Sequence, residues 1–348
     1  MRNKRAQNLS SGGFGQQKKT DAEGTIIKGI SGFYYVAVEA ASDAAPHADL
    51  PANLAPREGM RIYQCRARGI FRKEKKKPLV GDRVRIEILD EEAAEANLTD
   101  ILPRKNELIR PAAANVDQAV VFFALKEPEP DAVLLDRFLI LMHRQEVPVL
   151  ICLNKKDLAD SGVSQHWKMI YEGCGYQVLL ISAGIWEKEK RSEPDNQKDP
   201  ELEELRGILE GKTTVIAGPS GVGKSTLTNV LQDTVIMETG EISRKLHKGK
   251  NTTRHAELVP LGNGTYFCDT PGFASLDLPD MEKEELQTCF QEFEPFEQRC
   301  RFQGCSHVTE PDCGVREAVQ EGKIAPERYE NYCRFYRELQ DREKHKYS

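Results

Sequence analysis

The segment from Gly218 to Ser225 has a composition suited to phosphate binding. It reads Gly-Pro-Ser-Gly-Val-Gly-Lys-Ser, follows the apolar run Thr214–Ala217 and opens a helix-compatible stretch, Ser225–Leu231. Glycines let backbone N–H groups close around phosphates, and the helix N-terminus adds positive potential. Lys224 is expected to reach the β and γ phosphates of a nucleoside triphosphate, and Ser225 to ligate Mg²⁺. The segment therefore predicts a P-loop between a strand and a helix.

A second segment, Asn154-Lys-Lys-Asp157, indicates which base is bound. It directly follows the apolar run Val147–Leu153, which places it at the carboxyl end of a predicted strand, where ligands bind in such sheets. The carboxylate of Asp157 can accept hydrogen bonds from both N1–H and the exocyclic amine of guanine, whereas adenine offers no such donor pair. The four-residue match alone is weak. Together with the P-loop it favours GTP over ATP.

Other short motifs complete a guanine-nucleotide site. Ser182-Ala183 ends the run Val178–Ile181 and could donate a backbone N–H to the guanine O6 atom. Asp269-Thr-Pro-Gly272 supplies a carboxylate to hold Mg²⁺ through water and a glycine N–H for the γ-phosphate. Thr252 and Thr253 remain alternative candidates for the threonine that completes the Mg²⁺ shell. The expected GTP-binding residues are Asn154, Lys155, Asp157, Ser182, Ala183, Gly218, Pro219, Ser220, Gly221, Val222, Gly223, Lys224, Ser225 and Thr226, and the expected phosphate and Mg²⁺ contacts are Lys224, Ser225, Thr252, Thr253, Asp269 and Gly272.

The order of these motifs predicts a circularly permuted domain. In an ordinary small GTPase the P-loop comes first, whereas here both base-recognition motifs precede it. Permutation can preserve a packed sheet when the original termini lie close together. The segment after Gly272 then leads into a cysteine-rich region, which we expect to move with nucleotide state.

The residue after Asp269–Gly272 bears on hydrolysis. Small GTPases often carry a water-orienting glutamine there, and this chain has Phe273. A phenyl ring cannot orient water, so we expect slow intrinsic hydrolysis and a catalytic contribution from another switch residue or a partner. The catalytic residue itself stays unassigned.

The cysteine-rich region has the spacing of a metal site. Cys300, Cys305, His307 and Cys313 offer ligands suited to zinc within a short stretch that also contains Gly304. With no ligand position left open, the expected zinc is structural. The alternative is a set of buried free thiols.

Periodicity predicts a multidomain protein with a central α/β domain. Short β-type runs in the N-terminal third indicate a small antiparallel barrel, continuous apolar runs in the centre indicate buried parallel strands, and the C-terminal part is mainly helical. The predicted strands are Phe33–Val38, Arg61–Ala67, Asp82–Ile88, Ala119–Leu125, Val147–Leu153, Val178–Ile181, Thr214–Ala217 and Tyr266–Cys268, and the predicted helices are Leu134–Arg144, Gln165–Glu172, Glu201–Glu210 and an amphipathic segment from Pro326 to about Glu343. Asn106–Ala114 is expected to be a linker and Trp186–Pro200 a charged surface excursion.

Composition narrows the class of protein. The 348 residues predict two or three domains, and the net charge of −6 argues against indiscriminate nucleic-acid coating. Basic residues nevertheless concentrate in 1–20 and 61–85, which suits either contacts with a nucleic-acid backbone or a solvated surface. No apolar run approaches the roughly 18 residues of a membrane span, and the N-terminus has no apolar core of an export signal. We expect a cytoplasmic protein.

The chain resembles the ribosome small-subunit-dependent GTPase A (RsgA) family over nearly its whole length, in the permuted motifs and in the cysteine cluster. The resemblance implies a basic flexible N-terminus (1–20), an OB-fold RNA-binding barrel (21–105), a permuted GTPase domain (106–279) and a zinc-binding helical domain (280–348). It also implies GTP hydrolysis stimulated by the small (30S) ribosomal subunit, binding of rRNA, GTP and GDP, nucleotide-dependent release, and a role in late subunit maturation. A monomer is expected.

The sequence leaves other interpretations of function open. Asn251 stands where the family commonly has a histidine, so any catalytic role of that histidine is in doubt here. A scaffold with a vestigial nucleotide pocket is disfavoured by the intact Lys224, Ser225 and Asp157. A P-loop ATPase or kinase is disfavoured by Asp157.

Overall fold

The N-terminal strands close into a five-stranded barrel in the order β1-β2-β3-β5-β4. The computed structural model describes residues 20–30, 32–39, 59–67, 71, 77–109, 111–192, 199–232, 256–269 and 276–346. The barrel strands are β1 (Thr20–Ile30), β2 (Phe33–Glu39), β3 (Met60–Ala67), β4 (Arg83–Asp90) and β5 (Glu95–Ile101). β1 pairs antiparallel with both β2 and β4, which closes the barrel in the manner of an OB-type fold. The predicted barrel is confirmed, although β1 and β5 were not predicted and β3 pairs with β5 in parallel, so the barrel is not wholly antiparallel.

The central domain is built on a six-stranded sheet, in the order β10-β9-β8-β11-β13-β12, within the described residues. Its strands are β8 (Gln118–Ala124), β9 (Val149–Asn154), β10 (Gln177–Leu180), β11 (Thr213–Ala217), β12 (Glu257–Gly262) and β13 (Thr265–Asp269). Neighbours are parallel except β12, which pairs antiparallel with β13 at the edge. The five predicted strands are confirmed, and β12 was not predicted. The expected linker, residues 106–114, contains a small hairpin of β6 (Glu107–Leu108) and β7 (Ala113–Ala114).

The apolar runs form central strands because both faces of the sheet are covered. Every residue of β8 is buried, and successive side chains join different cores. Ala119, Val121 and Phe123 belong to an apolar cluster shared with the barrel, whereas Val120 and Phe122 belong to a cluster on the opposite face. This two-residue alternation is the pattern of a strand buried on both sides.

The helices on the two faces differ in one respect from the sequence prediction. They are α1 (Ala132–Arg144), α2 (Ser161–Gly173), α3 (Ala183–Ser192), α4 (Pro200–Leu209) and α5 (Lys224–Leu231), the helix of the P-loop. The expected surface excursion from Trp186 was wrong in its first part, because α3 continues to Ser192 and only 1% of Trp186 is exposed. The indole packs in the same cluster as Leu202 and Leu205, which outweighs the charged neighbours along α3.

The C-terminal part is mainly helical, as predicted. It contains 3-10 turns at Lys283–Cys289 and Gln291–Phe293, followed by α6 (Glu294–Glu297), α7 (Gly314–Gln320) and α8 (Pro326–Lys346). Its apolar core includes Phe293, Tyr332 and Phe335, and Ile140 of α1 contributes to it from the central domain. Among the described residues, no helix has the length and apolarity needed to cross a membrane.

A buried ionic network anchors the C-terminal domain on the central domain. Arg328, near the start of α8, donates from Nη1 to Asp136 of α1 at 2.6 Å and from Nε to Glu292 at 2.8 Å. Asn331 of α8 and Tyr171 of α2 also donate to Asp136, at 2.6 and 3.0 Å. Burial raises the pKa of Asp136, and Arg328 opposes that shift. Because Arg328 and Asp136 are almost fully buried, each charge depends on the other for compensation.

Replacing Arg328 is therefore expected to destabilise the protein strongly. Arg328→Met should lower the free energy of unfolding by about 3–5 kcal/mol, since it leaves Asp136 and Glu292 buried without their cation. Denaturant unfolding measures the loss. Arg334→Met, an exposed change on the same helix, is the control and should stay within about 0.5 kcal/mol of the wild type. Equal stability of the two variants would contradict the proposed anchor.

Candidate nucleotide site and metal centre

Parallel pairing brings the nucleotide motifs to one edge of the sheet. β9, β11 and β13 end at Asn154, Ala217 and Asp269, and each is followed by a motif singled out from the sequence. Since carboxyl ends of parallel strands lie at the same edge, the permuted chain assembles its motifs there. Separation along the sequence therefore does not separate these motifs in space.

The side chain of Asn154 connects three of these motifs directly. Its Nδ2 donates to the carbonyl oxygen of Val222 in the P-loop at 2.8 Å, and its Oδ1 accepts from the backbone N–H of Ala183 at 3.0 Å. Only 2% of Asn154 is exposed. Because an unpaired buried amide is costly, these bonds fix the P-loop and the Ser182-Ala183 segment relative to β9.

Glycines in the P-loop permit close backbone packing. Gly221 and Gly223 have positive φ angles of 82° and 102°, which side-chain-bearing residues rarely adopt. A Cβ atom on Gly223 would lie 2.5 Å from Nδ2 of Asn154, and one on Gly218 would lie 2.0 Å from the carbonyl oxygen of Phe122. The loop can approach β8 and Asn154 only because these positions lack side chains.

The two motif lysines bind backbone carbonyls around the loop. Lys224 is 8% exposed, and its Nζ donates to the carbonyl oxygens of Gly218 at 3.0 Å and Pro219 at 2.7 Å. Lys155, with φ of 61°, donates to the carbonyls of Gly221, at 3.0 Å, and Glu127. The ammonium groups therefore lie within and beside the P-loop, where they can balance phosphate charge.

The carboxylate predicted to recognise the base, that of Asp157, is accessible. Asp157 is exposed in a single 3-10 turn, Lys156–Leu158, which begins two residues after Asn154. The backbone N–H of Lys156 donates to the carbonyl oxygen of Ile181 at 3.1 Å, which ties this turn to the Ser182-Ala183 segment. Both predicted base-recognition segments are thus neighbours, as a shared guanine would require.

The predicted Mg²⁺ ligands are placed only in part. Ser225 is exposed in the first turn of α5, and Asp269 is the last residue of β13, paired in register with Ile216 just before the P-loop. Thr252, Thr253 and Gly272 lie outside the described residues. The remaining P-loop positions, Pro219, Ser220 and Thr226, lie where the loop and first helical turn were predicted.

The loop after β8 is a part of the site that sequence reasoning missed. The carbonyl of Glu127 accepts from Lys155, and Pro128 lies beside Gly221, with its Cδ 3.9 Å from where a Cβ would be. A signal was available, because the loop follows a predicted strand at the same edge as the other motifs. Its hydrogen bond with Lys155, however, is accepted by a backbone carbonyl, which leaves no mark in the sequence.

Cys300, Cys305, His307 and Cys313 converge in the C-terminal domain. Their ligand atoms all lie within 4.8 Å of one another. Sγ of Cys300 is 3.6 Å from Nδ1 of His307 and 3.9 Å from Sγ of Cys313, and Nδ1 is 3.4 Å from Sγ of Cys313. A zinc tetrahedron of three sulfurs at about 2.3 Å and one nitrogen at about 2.0–2.1 Å has edges of roughly 3.5–3.8 Å. The donor set therefore fits zinc, as predicted.

The groups around these ligands hold His307 in the orientation that a metal requires. Its other ring nitrogen, Nε2, faces Oε1 of Glu297 at 4.0 Å, so Nδ1 is the atom directed at the thiols. Burial lowers the pKa of His307, which favours the neutral imidazole that binds metals. Tyr329 and Tyr332 of α8 donate to the carbonyl oxygens of His307 and Ser306 at 2.8 and 2.7 Å. The helix that carries Arg328 therefore also supports the metal loop.

Comparison with known proteins identifies the family. Residues 101–279 match the family model described as RsgA GTPase, and residues 57–95 match that of the RsgA N-terminal domain. A protein of Agathobacter rectalis named small ribosomal subunit biogenesis GTPase RsgA is 52% identical over 322 residues, covering 92% of this chain and 99% of its own. The chain belongs to the RsgA family. An RsgA protein of Alkaliphilus metalliredigens is 44% identical, covering 91% of this chain and 98% of its own.

Solved structures of similar proteins support the same conclusion. The crystal structure of YloQ, described as a circularly permuted GTPase, has a TM-score of 0.67 and 36% identity, covering 95% of this chain and 99% of YloQ. The crystal structure of YjeQ from Thermotoga maritima has a TM-score of 0.67 and 34% identity, covering 92% of this chain and 99% of YjeQ. As a member of the RsgA GTPase family, the chain hydrolyses GTP, with Mg²⁺ accompanying the nucleotide.

The close approach of Gly223 to Asn154 generates a prediction for nucleotide binding. Gly223→Ala should weaken GTP binding at least about tenfold, because the left-handed backbone costs roughly 1–3 kcal/mol for alanine and the new methyl group displaces the Asn154 amide. Titration with a fluorescent GTP analogue measures the change. Gly207→Ala, on α4 with no atom within 4 Å, is the control and should bind as the wild type does. Unchanged affinity in Gly223→Ala would contradict the described contact.

The metal centre predicts about one zinc ion per chain. Cys305→Ser should reduce the bound zinc to near zero and lower the thermal midpoint of the C-terminal domain, since metal binding and folding are coupled. Metal analysis of protein prepared without chelators measures the content. Cys333→Ser changes a buried thiol outside the cluster and should retain the metal. Finding no zinc in the wild type would reject the site.

Proposed function

We propose that this chain is a GTP hydrolase stimulated by the small ribosomal subunit and acting in late assembly of that subunit. It would bind rRNA and leave the subunit after GTP hydrolysis, as a cytoplasmic monomer. The main support is the near full-length similarity to relatives named small ribosomal subunit biogenesis GTPase, which spans the barrel, the permuted domain and the cysteine cluster. The convergence of the nucleotide motifs around Asn154 supports an intact rather than a vestigial pocket.

Each motif has a proposed task in the GTP complex. Asp157 recognises guanine through its carboxylate, and the backbone N–H of Ala183 or a neighbour donates to O6. The P-loop amides and Lys224 hold the phosphates. The hydrogen bonds of Asn154 orient these groups before the nucleotide binds, which limits the ordering that binding requires.

The metal ions have distinct proposed tasks. Mg²⁺ would be held by Ser225, by Thr252 or Thr253, and through water by Asp269, and it supplies charge neutralisation at the β and γ phosphates. Gly272 would donate to the γ-phosphate. Zinc would be held by Cys300, Cys305, His307 and Cys313 and would keep the loop around Gly304 in its folded shape. With Phe273 after Gly272, water is oriented by another group.

The barrel is the proposed rRNA-binding module. Arg83 and Arg85 alternate along β4 with 65% and 54% of their side chains exposed, and Arg66 stacks over the ring of Phe33 with 5.2 Å to the centroid. Exposed cations contact phosphate, and aromatic rings beside arginine suit unpaired bases. The lysine-rich loop 72–77 adds charge in the sequence and lies almost wholly outside the described residues.

Turnover with ribosomal subunits tests the proposal. Purified small subunits should raise GTP hydrolysis by the full chain at least tenfold, and large subunits should not. Changing Lys75, Lys76 and Lys77 to Glu should remove most of the stimulation while leaving turnover without subunits unchanged. The plot of the logarithm of the docking constant against the logarithm of the salt concentration should also become less steep. Its slope should change by roughly 0.7–0.9 for each phosphate that the variant no longer neutralises. Equal stimulation by both subunits, or none by either, would reject the proposed function.

A further inference from the structure

The hairpin formed by β12 and β13 links two predicted Mg²⁺-binding segments. Along the chain, Thr252 and Thr253 precede β12, and β13 ends at Asp269. Antiparallel pairing places Glu257, the first residue of β12, opposite Asp269 in register. Facing strands lie about 4.8 Å apart, so a shift of β12 at Glu257 is transmitted to the backbone that carries Asp269.

The barrel packs directly on this hairpin. β1 lies against β12, and Nζ of Lys28 is 3.0 Å from Oε1 and 2.9 Å from Oε2 of Glu257. The side chains are only 15% and 22% exposed. Leu258 is fully buried in the apolar cluster that the barrel shares with the central sheet. The Lys28–Glu257 pair is therefore part of a packed boundary between the two domains, not a surface contact.

The burial of this pair makes it a specific contact. Burial raises the pKa of Glu257, and the Lys28 ammonium opposes that shift. If Lys28 is removed, the carboxylate keeps its desolvated surroundings and loses this cation, which favours movement toward water or uptake of a proton. Either response disturbs the start of β12. Exposed pairs lack this property, because water takes the place of the missing partner.

We propose that Lys28 and Glu257 are positioning residues through which the barrel sets the geometry of the Mg²⁺ side of the nucleotide site. Neither residue contacts the nucleotide; they act through the hairpin on Asp269. The inference rests on the proposed role of Asp269 in holding Mg²⁺. By reciprocity, Mg²⁺ and GTP bound at Asp269 strengthen the docking of the barrel on β12.

The test measures Mg²⁺ dependence in the full-length protein. The readout is the Mg²⁺ concentration that half-maximally tightens binding of a fluorescent, non-hydrolysable GTP analogue. Lys28→Met and Glu257→Gln should each raise it three- to tenfold. GDP affinity in chelator should stay within twofold of wild type, because the base and P-loop contacts are untouched, and this value also reports folding. The double variant Lys28→Glu, Glu257→Lys should restore most of the wild-type Mg²⁺ requirement, because it keeps an ion pair at the same place. Lys28→Arg, which keeps the cation, should raise the Mg²⁺ requirement much less than Lys28→Met does.

A matched control separates this pair from general loosening of the boundary. Nζ of Lys105 contacts Oδ1 of Asp117 at 2.8 Å where the chain passes from the barrel region to β8, and its side chain is 63% exposed. Lys105→Met should leave the Mg²⁺ requirement unchanged. An equal shift in Lys105→Met, or no shift in Lys28→Met and Glu257→Gln, would overturn the positioning role.

Asp269→Asn distinguishes failure of this inference from failure of the assignment on which it rests. It should raise the Mg²⁺ requirement more than either change at the ion pair. If it does so while Lys28→Met and Glu257→Gln do not, the positioning role alone is wrong. If Asp269→Asn leaves the requirement unchanged, the proposed Mg²⁺ role of Asp269 is wrong, and the route from Lys28 to the metal fails with it.

Discussion

The buried amide of Asn154 constrains how the nucleotide site is assembled. An amide with 2% exposure needs partners for its polar atoms, and it finds them in the P-loop and at the start of α3. Gly223 must lack a side chain for this contact to form. Because these links run through space from one strand end to the neighbouring loops, they do not depend on the order in which the segments are joined. Circular permutation therefore preserves the pocket while changing the segment to which its last motif is connected.

The two outer domains are attached to different elements of the central domain. Arg328 of the C-terminal domain binds Asp136 of α1, and Tyr171, near the C-terminal end of α2, donates to the same carboxylate. The barrel instead packs on β12, beside the strand that ends at Asp269. The barrel thus neighbours the proposed Mg²⁺ side, whereas the C-terminal domain is held on helices α1 and α2. The sequence suggested a connection only through the segment after Gly272.

The success of sequence prediction here depended on how much of each element is buried. β8 and β11 are covered on both faces, so their apolar residues are continuous and their approximate bounds were predictable. β12 was missed because Glu257, Pro260 and Gly262 interrupt the apolar pattern of an edge strand. Trp186 was misassigned because its charged neighbours outweighed one indole whose partners lie in α4. The motif residues could be singled out from the sequence because phosphate and zinc chemistry each favour a characteristic local spacing. Arg328 and Asp136, 192 positions apart, carry no local signal of their pairing.

The barrel packs on β12, which is an edge strand of the central sheet. An edge strand presents unpaired backbone groups to solvent and is open to association with other strands. The opposite edge, β10, is short, with only four residues from Gln177 to Leu180. β12 is longer and carries the buried side chains of Leu258 and Val259. β1 packs on β12, and Leu258 is buried in the apolar cluster that the barrel shares with the sheet. The contact that carries the proposed positioning role therefore also shields an apolar side chain of the edge strand.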